Sequence, residues 1–387
     1  MNPSREELLA FDPHWCVYWA NSFARSQLEI WLPLLQRSSY RFLVFLDGPG
    51  SLPTSVAALE ADGRLLFAQS TKTDKRSLHD LPSLRGFLYV SNKNRIFGNV
   101  GEFRGHPHVF IGHGESAKAS SGSRVAALYD SVFLAEYSGA ARFPRRIRAH
   151  VRKSALAIGA PIVDGLVAGR RADRGTRETP VVLFAPTWEG HNSNKDYSSL
   201  PEVAPLLAKE LAQGSVEVVL RPHPGNGKRS GVHRQAAADL WGAGADRPTS
   251  KSADANRADI MIGDLSGATS ELLFTRKPMI IPVTQKLGLL EITARSVQRD
   301  YPWAYIWEVD KEPFADVLER AWVTDPLLPR RERSADQLFR AHRDIDQAAR
   351  TFDIALGAVW NFRHPRLRRM RFETAMARRR RAARRRG

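Results

Sequence analysis

The chain has 387 residues, of which 43% are hydrophobic and 26% charged, a composition that excludes disorder for most of its length. This length predicts two domains. The single cysteine, Cys16, excludes an internal disulfide framework and a cysteine-based zinc site, and it predicts a reducing, cytoplasmic location. No apolar run reaches the roughly 18 residues of a membrane-spanning helix, and residues 1–10 lack the pattern of a signal peptide. We therefore expect neither a membrane span nor export by that route.

The basic charge of the chain is concentrated at its end. The formal net charge is +17, and the stretch 363–387 holds twelve arginines against one acid, so the rest of the chain carries only +6. Runs of like charge cannot hold a core. We expect 363–387 to be a disordered basic tail that is solvated or bound to a surface.

Short apolar segments recur in the first part of the chain and predict parallel strands covered on both faces. We interpret the stretches between them as helices or loops, including helices around 15–35. The pattern indicates a Rossmann-like domain over 1–167. Its predicted strands are 41–46, 65–68, 86–90, 108–111, 131–135 and 155–158.

A charged, glycine-containing stretch at 168–180 lacks apolar periodicity and predicts a linker. A second Rossmann-like domain follows over 181–333, and a helix over 334–362 has a length that would let it cross back to the first domain. We expect the two domains to face a central cleft, because open parallel sheets bind ligands beyond the carboxyl ends of their strands. The predicted strands of the second domain are 181–184, 216–220, 260–262 and 278–283.

Several common catalytic motifs are absent from the sequence. It contains no G-x-x-x-x-G-K-[ST], no G-x-G-x-x-G after a strand, no H-E-x-x-H and no C-x-x-C. Kinase, nicotinamide-dependent and zinc-protease chemistry are therefore disfavoured. The run 263–267 has one residue too many before its serine to be a nucleophile elbow, which disfavours a hydrolase triad.

A glycine-flanked histidine, His113, follows the strand predicted at 108–111. Glycines on both sides allow a sharp bend and close approach of a substrate, and an imidazole can accept a proton near neutral pH. We predict His113 as a general base rather than an ordinary turn residue. Lys118 and Glu115 in the same loop are candidate acceptor or phosphate contacts, with a solvated lysine as the alternative.

The predicted strand 216–220 is followed by Arg-Pro-His-Pro. Two prolines restrict the backbone, so Arg221 and His223 would present cationic donors in a rigid loop. Such donors suit a diphosphate whose charge grows as a bond to phosphorus breaks. The alternative is a proline-stiffened surface loop.

The stretch 260–274 predicts a strand, a turn of small residues and the start of a helix. Backbone amides at that helix start, with the hydroxyls of Ser266 and Thr269 and the small Gly267, would form a phosphate site. Glu271, about one turn into the helix, would reach ribose hydroxyls. Ordinary N-capping by Asp264 or Ser266 is compatible with this interpretation.

A weaker candidate follows the strand predicted at 181–184. Thr187 could hydrogen-bond a ligand, and Trp188 could pack on a base, although a tryptophan is more often a core residue.

Five motifs, in this order along the chain, resemble the CDP-glycerol glycerophosphotransferase family, the teichoic-acid polymerases and primases of GT-B fold. The motifs are GHGESAK, GAPIVD, FAPTWEG, LRPHPG and ADIMIGDLSGATSELLF with KPMIIP. The resemblance covers about 107–282. It implies a GT-B-like fold, and a transferase (EC 2.7.8 type) that moves glycerol phosphate or a related polyol phosphate from a CDP-linked donor to a hydroxyl of a lipid-linked or glycan acceptor, releasing CMP in teichoic-acid or cell-wall synthesis.

The resemblance also implies residue roles. His113 matches the family's base, Arg221 and His223 its donor-diphosphate residues, Ser266 a serine of its Asp-Tyr-Ser-Ser segment, and Glu271 an acid near the cytidine ribose. The sequence departs from the family at Leu265, where a tyrosine is usual, at Gly267, where the second serine is usual, and at 115–116, where Thr-Pro is usual.

The implied reaction needs no cofactor besides the nucleotide donor, and nothing in the sequence requires a metal. Asp344 and Asp346 mimic an Asp-x-Asp motif but are expected on a solvated helix face. The arginine tail would bind the anionic inner face of the cell membrane, which makes the protein peripheral and cytoplasmic. We expect no specific nucleic-acid partner.

Two alternatives stay open. Gly267 and Glu271 also resemble features of UDP-sugar 2-epimerases and GT-B glycosyltransferases, so the donor could be a uridine nucleotide. A non-catalytic protein that binds nucleic acid through the arginine tail is the second alternative, and it predicts salt-sensitive binding that disappears with the tail.

Overall fold

The computed structural model describes residues 3–19, 28–47, 56–70, 75–91, 96–112, 124–169, 178–190 and 196–363. Within these residues the chain forms two compact units. The chain passes from the first unit to the second at Pro161–Ile162 and returns to the first at Arg343–Asp344. The stretch 168–180 follows the first of these points, and most of it lies outside the described residues.

The first unit contains a seven-stranded parallel sheet in the order β3-β2-β1-β4-β5-β6-β7. Its strands are β1 (Trp15–Trp19), β2 (Phe42–Leu46), β3 (Leu65–Gln69), β4 (Gly86–Tyr89), β5 (His108–Phe110), β6 (Ser131–Leu134) and β7 (Ala155–Ala157). Its α-helices are α1 (Arg5–Phe11), α2 (Leu32–Arg37), α3 (Val56–Glu60), α4 (Ile96–Glu102) and α5 (Arg145–Ser154), with 3₁₀ turns at Lys75–Asp80, Arg124–Leu128 and Tyr137–Arg142.

The centre of this sheet corrects one prediction. Residues 15–19, which we expected to be helical, form β1, which pairs with β2 and β4 in parallel register. All five side chains of WCVYW are buried, as a strand covered on both faces requires. A helix would have left one side of this run exposed, so burial on both faces decides for the strand.

The second unit contains a five-stranded parallel sheet in the order β12-β11-β10-β8-β9. Its strands are β8 (Val181–Ala185), β9 (Glu217–Leu220), β10 (Ile260–Gly263), β11 (Met279–Val283) and β12 (Tyr305–Glu308). Its α-helices are α6 (Leu200–Ala212), α7 (Gly231–Gly242), α8 (Lys251–Arg257), α9 (Gly267–Leu272), α10 (Gln285–Leu289), α11 (Ala294–Asp300), α12 (Phe314–Glu319) and α13 (Leu328–Leu338), with a 3₁₀ turn at Leu273–Thr275 and a π-helical turn at Arg320–Thr324.

The expected single helix over 334–362 is instead two helices. Helix α13 ends at Leu338, and α14 (Ile345–Ala358), followed by a π-helical turn at Val359–Arg363, begins after a break. Arg340 and Ala341 in the break have φ of 52° and 55°, a left-handed conformation that cannot continue an α-helix. Asp344 accepts a hydrogen bond from the Gln347 amide at 2.8 Å and caps α14, so it is an N-cap rather than a member of a solvated helix face.

Helix α14 packs on the sheet of the first unit. The Phe352 ring lies 5.7 Å from Trp31, 6.4 Å from Phe42 and 5.8 Å from Phe133, between ring centroids. Next to it, the Asp353 carboxylate accepts hydrogen bonds from the amide and hydroxyl of Ser39, both at 2.7 Å. The last helix is therefore part of the core of the first unit. No helix in the described part of the chain has both the length and the apolar character to cross a membrane.

Candidate functional site

In the second sheet the order in which the chain adds strands reverses between β8 and β10. The chain places β9 on one side of β8 and then returns to place β10 on the other side. The last pair in register between β8 and β10 is Ala185 with Gly263, so the loops that follow these two strands start side by side. In open α/β sheets, ligands bind outside the carboxyl ends of the strands at such a switch point.

Seven residues predicted to bind the donor follow strands β8, β9 and β10, and they lie at the carboxyl edge of the second sheet. The loop after β9 runs along the loop after β8, because the Arg221 amide donates to the Phe184 carbonyl at 2.8 Å and the His223 amide donates to the Pro186 carbonyl at 3.1 Å. The seven residues are Thr187 after β8, Arg221 and His223 after β9, and Ser266, Gly267, Thr269 and Glu271 after β10.

The predicted residues His113, Glu115 and Lys118 lie outside the described residues. The structure does describe the glycine before His113. Gly112 has a φ of 70°, which strains any residue with a Cβ, and its carbonyl accepts a hydrogen bond from the Trp31 indole at 2.8 Å. The backbone that leads into the histidine loop is therefore bent and held by a buried tryptophan.

A buried aspartate joins the loops at the switch point. Asp264, directly after β10, accepts hydrogen bonds from the Thr187 amide at 2.7 Å, from the Ser199 hydroxyl at 2.6 Å and from the Ser199 amide at 3.3 Å. Only 2% of the residue is exposed. One carboxylate thus fixes the loop after β8, the start of α6 and the end of β10 relative to one another.

Burial controls the ionisation of this group. Removal of the Asp264 carboxyl from water raises its pKa to about 6, although hydrogen bonds from Ser199 and Thr187 favour the ionised form. At neutral pH the group is ionised, and its charge is held by protein donors. We infer that it supports the loops rather than contacting a ligand.

Ser266 caps helix α9 and is one of the two N-caps that the sequence allowed. Its hydroxyl accepts from the Thr269 amide at 3.4 Å, and the Thr269 hydroxyl donates to the Asp264 carbonyl at 2.5 Å. A Cβ on Gly263 would lie 2.7 Å from the Thr269 hydroxyl oxygen, so this close approach needs glycine. The hydroxyls of the predicted phosphate site are thus held against the end of β10.

The imidazole of His223 has a defined orientation. The Gly225 amide donates to its Nδ1 at 2.9 Å, so Nδ1 is an acceptor and the ring hydrogen is on Nε2. The ring stacks on Trp188 with centroids 6.0 Å apart and an interplanar angle of 27°. Trp188, which we considered as a platform for a base, therefore contacts the histidine. His223 is exposed.

A second buried carboxylate organises the loop that carries His223. Glu189 accepts hydrogen bonds from the amides of Gly227 at 3.1 Å, Arg229 at 2.9 Å and Ser230 at 3.2 Å. Burial alone would raise the pKa of Glu189, but these amide donors outweigh it and lower the pKa below the usual value. Convergent amides of this kind form an anion site, which the chain fills with its own carboxylate.

We expect Glu189→Gln to lower the free energy of unfolding by about 2 kcal/mol at pH 7, because a glutamine has one acceptor oxygen for three amide donors. A lowered folded-state pKa stabilises the protein above the unfolded pKa, and this stabilisation is lost as the pH falls through the folded pKa. Urea unfolding from pH 7 to pH 3 measures the difference between the two proteins. A difference that grew on acidification would contradict this assignment.

Helix α8 supplies charged partners to two of the predicted residues. Arg221 Nε donates to Asp254 at 2.8 Å, and its Nη2 donates to the Thr249 carbonyl at 2.8 Å. Glu271 forms an ion pair with Lys251. The Arg221 side chain, 25% exposed, is oriented by these contacts and keeps further N–H donors for a ligand.

The sequence did not reveal the four supporting residues Asp264, Glu189, Asp254 and Lys251 in these roles. Asp264 directly follows a predicted strand, a position that could have marked it as more than a possible helix cap. Glu189, Asp254 and Lys251 carry no local signal for these contacts, because Ser230, Arg221 and Glu271 lie 41, 33 and 20 residues away from them in the sequence.

The arrangement favours the binding of an anion. The carboxylates of Asp264 and Glu189 are occupied by amide and hydroxyl donors of the protein, and that of Glu271 is paired with Lys251. The remaining predicted side chains include a guanidinium, an imidazole N–H and several hydroxyls, which are hydrogen-bond donors. Rigidly held donors of this kind stabilise phosphate oxygens.

Comparison with models of known protein families finds no match, and no curated protein matches the sequence. Solved structures do match. The wall teichoic acid polymerase TagF superposes with a TM-score of 0.51 at 13% identity over 90% of this chain and 92% of the other. A UDP-N-acetylglucosamine 2-epimerase superposes with a TM-score of 0.55 at 11% identity, over 91% of this chain and 97% of the other. A putative UDP-N-acetylglucosamine 2-epimerase from Listeria monocytogenes superposes with a TM-score of 0.54 at 10% identity, over 89% of this chain and 95% of the other.

At this identity the likenesses concern the fold. They confirm the predicted fold class, an α/β chain with two Rossmann-like units of the GT-B type. The narrower resemblance to CDP-glycerol glycerophosphotransferases stays a prediction.

Proposed function

We propose that the carboxyl edge of the second sheet binds the diphosphate of a nucleotide-activated donor, and that the chain is a transferase of glycerol phosphate or a related polyol phosphate. The observation that carries the proposal is the convergence of Thr187, Arg221, His223 and Ser266 at the switch point between β8 and β10. CDP-glycerol is the donor we favour, because the motif order resembles that family. The acceptor would be a hydroxyl of a lipid-linked or teichoic-acid-like glycan.

The reaction proceeds by attack of the acceptor oxygen on the phosphorus nearest the glycerol. A new P–O bond forms, the bond to the bridging oxygen breaks, and its electron pair leaves on CMP. His113 takes the hydroxyl proton, and the side chains of Arg221 and His223 stabilise the charge on the departing phosphate. Positioning and electrostatics supply most of the rate in such a transfer.

Ser266, Thr269 and the amide of Gly267 would contact the same diphosphate, and Glu271 the ribose. In the free protein Glu271 is paired with Lys251, so this contact requires the ribose to compete with an ion pair. Lys118 and Glu115 would contact the acceptor. These roles follow from the family resemblance and from the position of the described residues at one sheet edge.

The first experiment is a calorimetric titration of the full chain with CDP-glycerol, CDP-ribitol, CMP, UDP-N-acetylglucosamine and UDP. We expect cytidine ligands to bind, and Arg221→Ala to weaken them by roughly tenfold or more, because a charge-assisted contact to phosphate is lost. Lys209→Ala, which removes an exposed cation from α6, is the matched control. Absence of any nucleotide binding would contradict the proposal.

A second candidate is a GT-B glycosyltransferase or a UDP-sugar 2-epimerase-like enzyme. The observation that favours it is the TM-score of 0.55 with a UDP-N-acetylglucosamine 2-epimerase, which is no lower than the 0.51 with TagF. The titration separates the two, because this candidate predicts a preference for uridine ligands. The same experiment in the presence of RNA tests the third candidate, a nucleic-acid-binding protein.

The arginine tail completes the proposal. Cations near an anionic bilayer contribute about 1 kcal/mol each within the screening length, so the twelve arginines of 363–387 are sufficient to hold the chain on the inner face of the cell membrane. A lipid-linked acceptor would be reached there.

A further inference from the structure

Helix α5 (Arg145–Ser154) in the first unit has two contrasting faces. Its sequence is RRIRAHVRKS, which contains no acid. Val151 and Ser154 are buried and Ile147 is half-buried, so these residues anchor the helix to its unit. The apolar side of the helix is therefore already covered by the protein itself.

The opposite face is cationic. Arg145, Arg146, Arg152 and Lys153 are all exposed, and at 3.6 residues per turn they fall within an arc of about 120°. Among the residues that the structure describes, no carboxylate lies within ion-pair distance of any of the four. Some exposed arginines elsewhere are paired, for example Arg257 with Glu217 at 2.9 Å.

This placement of charge is unfavourable for the helix alone. Arg145 and Arg146 occupy the first turn, where the positive end of the helix dipole disfavours cations. Arg148 and Arg152 are four residues apart, a spacing at which like charges repel. An anionic partner would remove both penalties, so the charge pattern points to such a partner.

We propose that the cationic face of α5 docks on the anionic lipid headgroups of a bilayer. The four side chains point to the same side, so one plane can contact them together. The face has no aromatic ring on which bases could stack, which disfavours single-stranded nucleic acid, and no apolar side chain that would insert into the acyl region.

The arginine tail follows α14 in the same unit as α5, and two cationic elements joined in one unit strengthen each other on an extended surface. The inference rests on the membrane part of the proposed function and not on the identity of the donor. It adds a rigid, folded contact to the tail and would give the first unit a preferred orientation on the membrane.

The test uses the full chain and sedimentation with phosphatidylcholine vesicles, with and without phosphatidylglycerol. The variant replaces the four cations of α5 by glutamine, and the control replaces four exposed cations of the second unit, Lys209, Arg295, Arg330 and Arg333, by glutamine. Each cation near an anionic surface contributes roughly fivefold in affinity. Because four such factors multiply, we expect the α5 variant to bind phosphatidylglycerol vesicles roughly several hundredfold more weakly, and the control to change little.

A companion variant with Arg145→Lys, Arg146→Lys and Arg152→Lys keeps the charge and is expected to keep vesicle binding. Equal losses in the α5 variant and the control would overturn the proposal in favour of net charge alone, and undiminished binding of the α5 variant would overturn it in favour of the tail. Loss of duplex DNA binding with vesicle binding intact would assign the face to nucleic acid instead.

Calorimetric titration of the same proteins with CDP-glycerol distinguishes a failure of the membrane proposal from a failure of the donor proposal. The α5 variant is expected to bind nucleotide like the unmodified chain, which also shows that it is folded.

Discussion

Replacement of His223 by alanine is expected to reduce the release of CMP from CDP-glycerol by roughly a hundredfold or more, because it removes a fixed donor to the developing phosphate charge. The structure gives this residue a specific geometry. The Gly225 amide donates to Nδ1, and Trp188 stacks on the ring, so the orientation of the imidazole at the sheet edge is defined. The rate of CMP release under saturating donor measures the effect.

The loop around His223 makes this prediction specific to the side chain. Glu189 holds the amides of Gly227, Arg229 and Ser230, and Asn226 Nδ2 donates to the Thr187 carbonyl at 2.9 Å. None of these contacts uses the imidazole. His223→Ala removes the acceptor of the Gly225 amide and the stacking on Trp188 but leaves these contacts in place, so we expect the loop to stay folded with only a small decrease in melting temperature.

His113→Ala is the informative comparison for His223→Ala. As the proposed base, His113 acts on the acceptor hydroxyl, so its loss should abolish turnover while nucleotide affinity is mostly kept. His223→Ala should lower both turnover and affinity. If the His223 variant turned over at the rate of the unmodified chain, this histidine would have no part in stabilising the leaving group.

Replacement of Asp264 by alanine is expected to lower the free energy of unfolding by about 4 kcal/mol, because the amides of Thr187 and Ser199 and the Ser199 hydroxyl lose a buried ionised acceptor. The loss would be concentrated in the second unit, where the loops after β8 and β10 meet. Urea unfolding measured at pH 7 tests this expectation. A change below 1 kcal/mol would show that water replaces the carboxylate.

The pH dependence of Asp264 has a definite sign. Burial raises its pKa from 3.8 to about 6, so between these values the folded chain binds more protons than the unfolded chain. Stability from this group therefore increases as the pH falls from 7 to 4, by about 3 kcal/mol in total. Asp264→Asn removes the titration and preserves the shape of the side chain.

The measurement compares the unmodified chain with Asp264→Asn at pH 7, 6, 5 and 4. We expect the unmodified chain to gain stability relative to the variant at each step towards acid. Glu189 changes stability in the opposite direction, because hydrogen bonds from amides lower its pKa. Parallel stability profiles for the two proteins would mean that Asp264 does not titrate in this range.

The likenesses to solved structures and the loop chemistry leave the choice of donor to experiment. TagF and the 2-epimerases have similar folds, so the fold alone does not distinguish a cytidine from a uridine nucleotide. Cytidine and uridine nucleotides have the same ribose, so the side chains that contact the base decide that choice.

The sequence by itself determined most of the strands and the positions of the predicted site residues. Segments such as 181–184 and 260–262 are unbroken apolar runs, which predicts a strand buried on both faces, and they correspond to β8 and β10. The sequence also placed Arg221, His223 and Ser266 directly after such strands. The prediction for β1 was wrong, because its aromatic run is compatible with a helix as well as a strand. Strand β12 was not predicted, because buried and half-buried residues alternate along it at the sheet edge.

Only the tertiary structure decided which of these loops meet. Strand order places β10 beside β8, and this contact allows Asp264 to reach Thr187, 77 residues away in the sequence. The tertiary structure likewise brings Arg221 into hydrogen-bond contact with Asp254 and pairs Glu271 with Lys251. The physical reason is that side-chain periodicity reports local burial, whereas the pairing of distant loops depends on how parallel strands are ordered by their crossover connections.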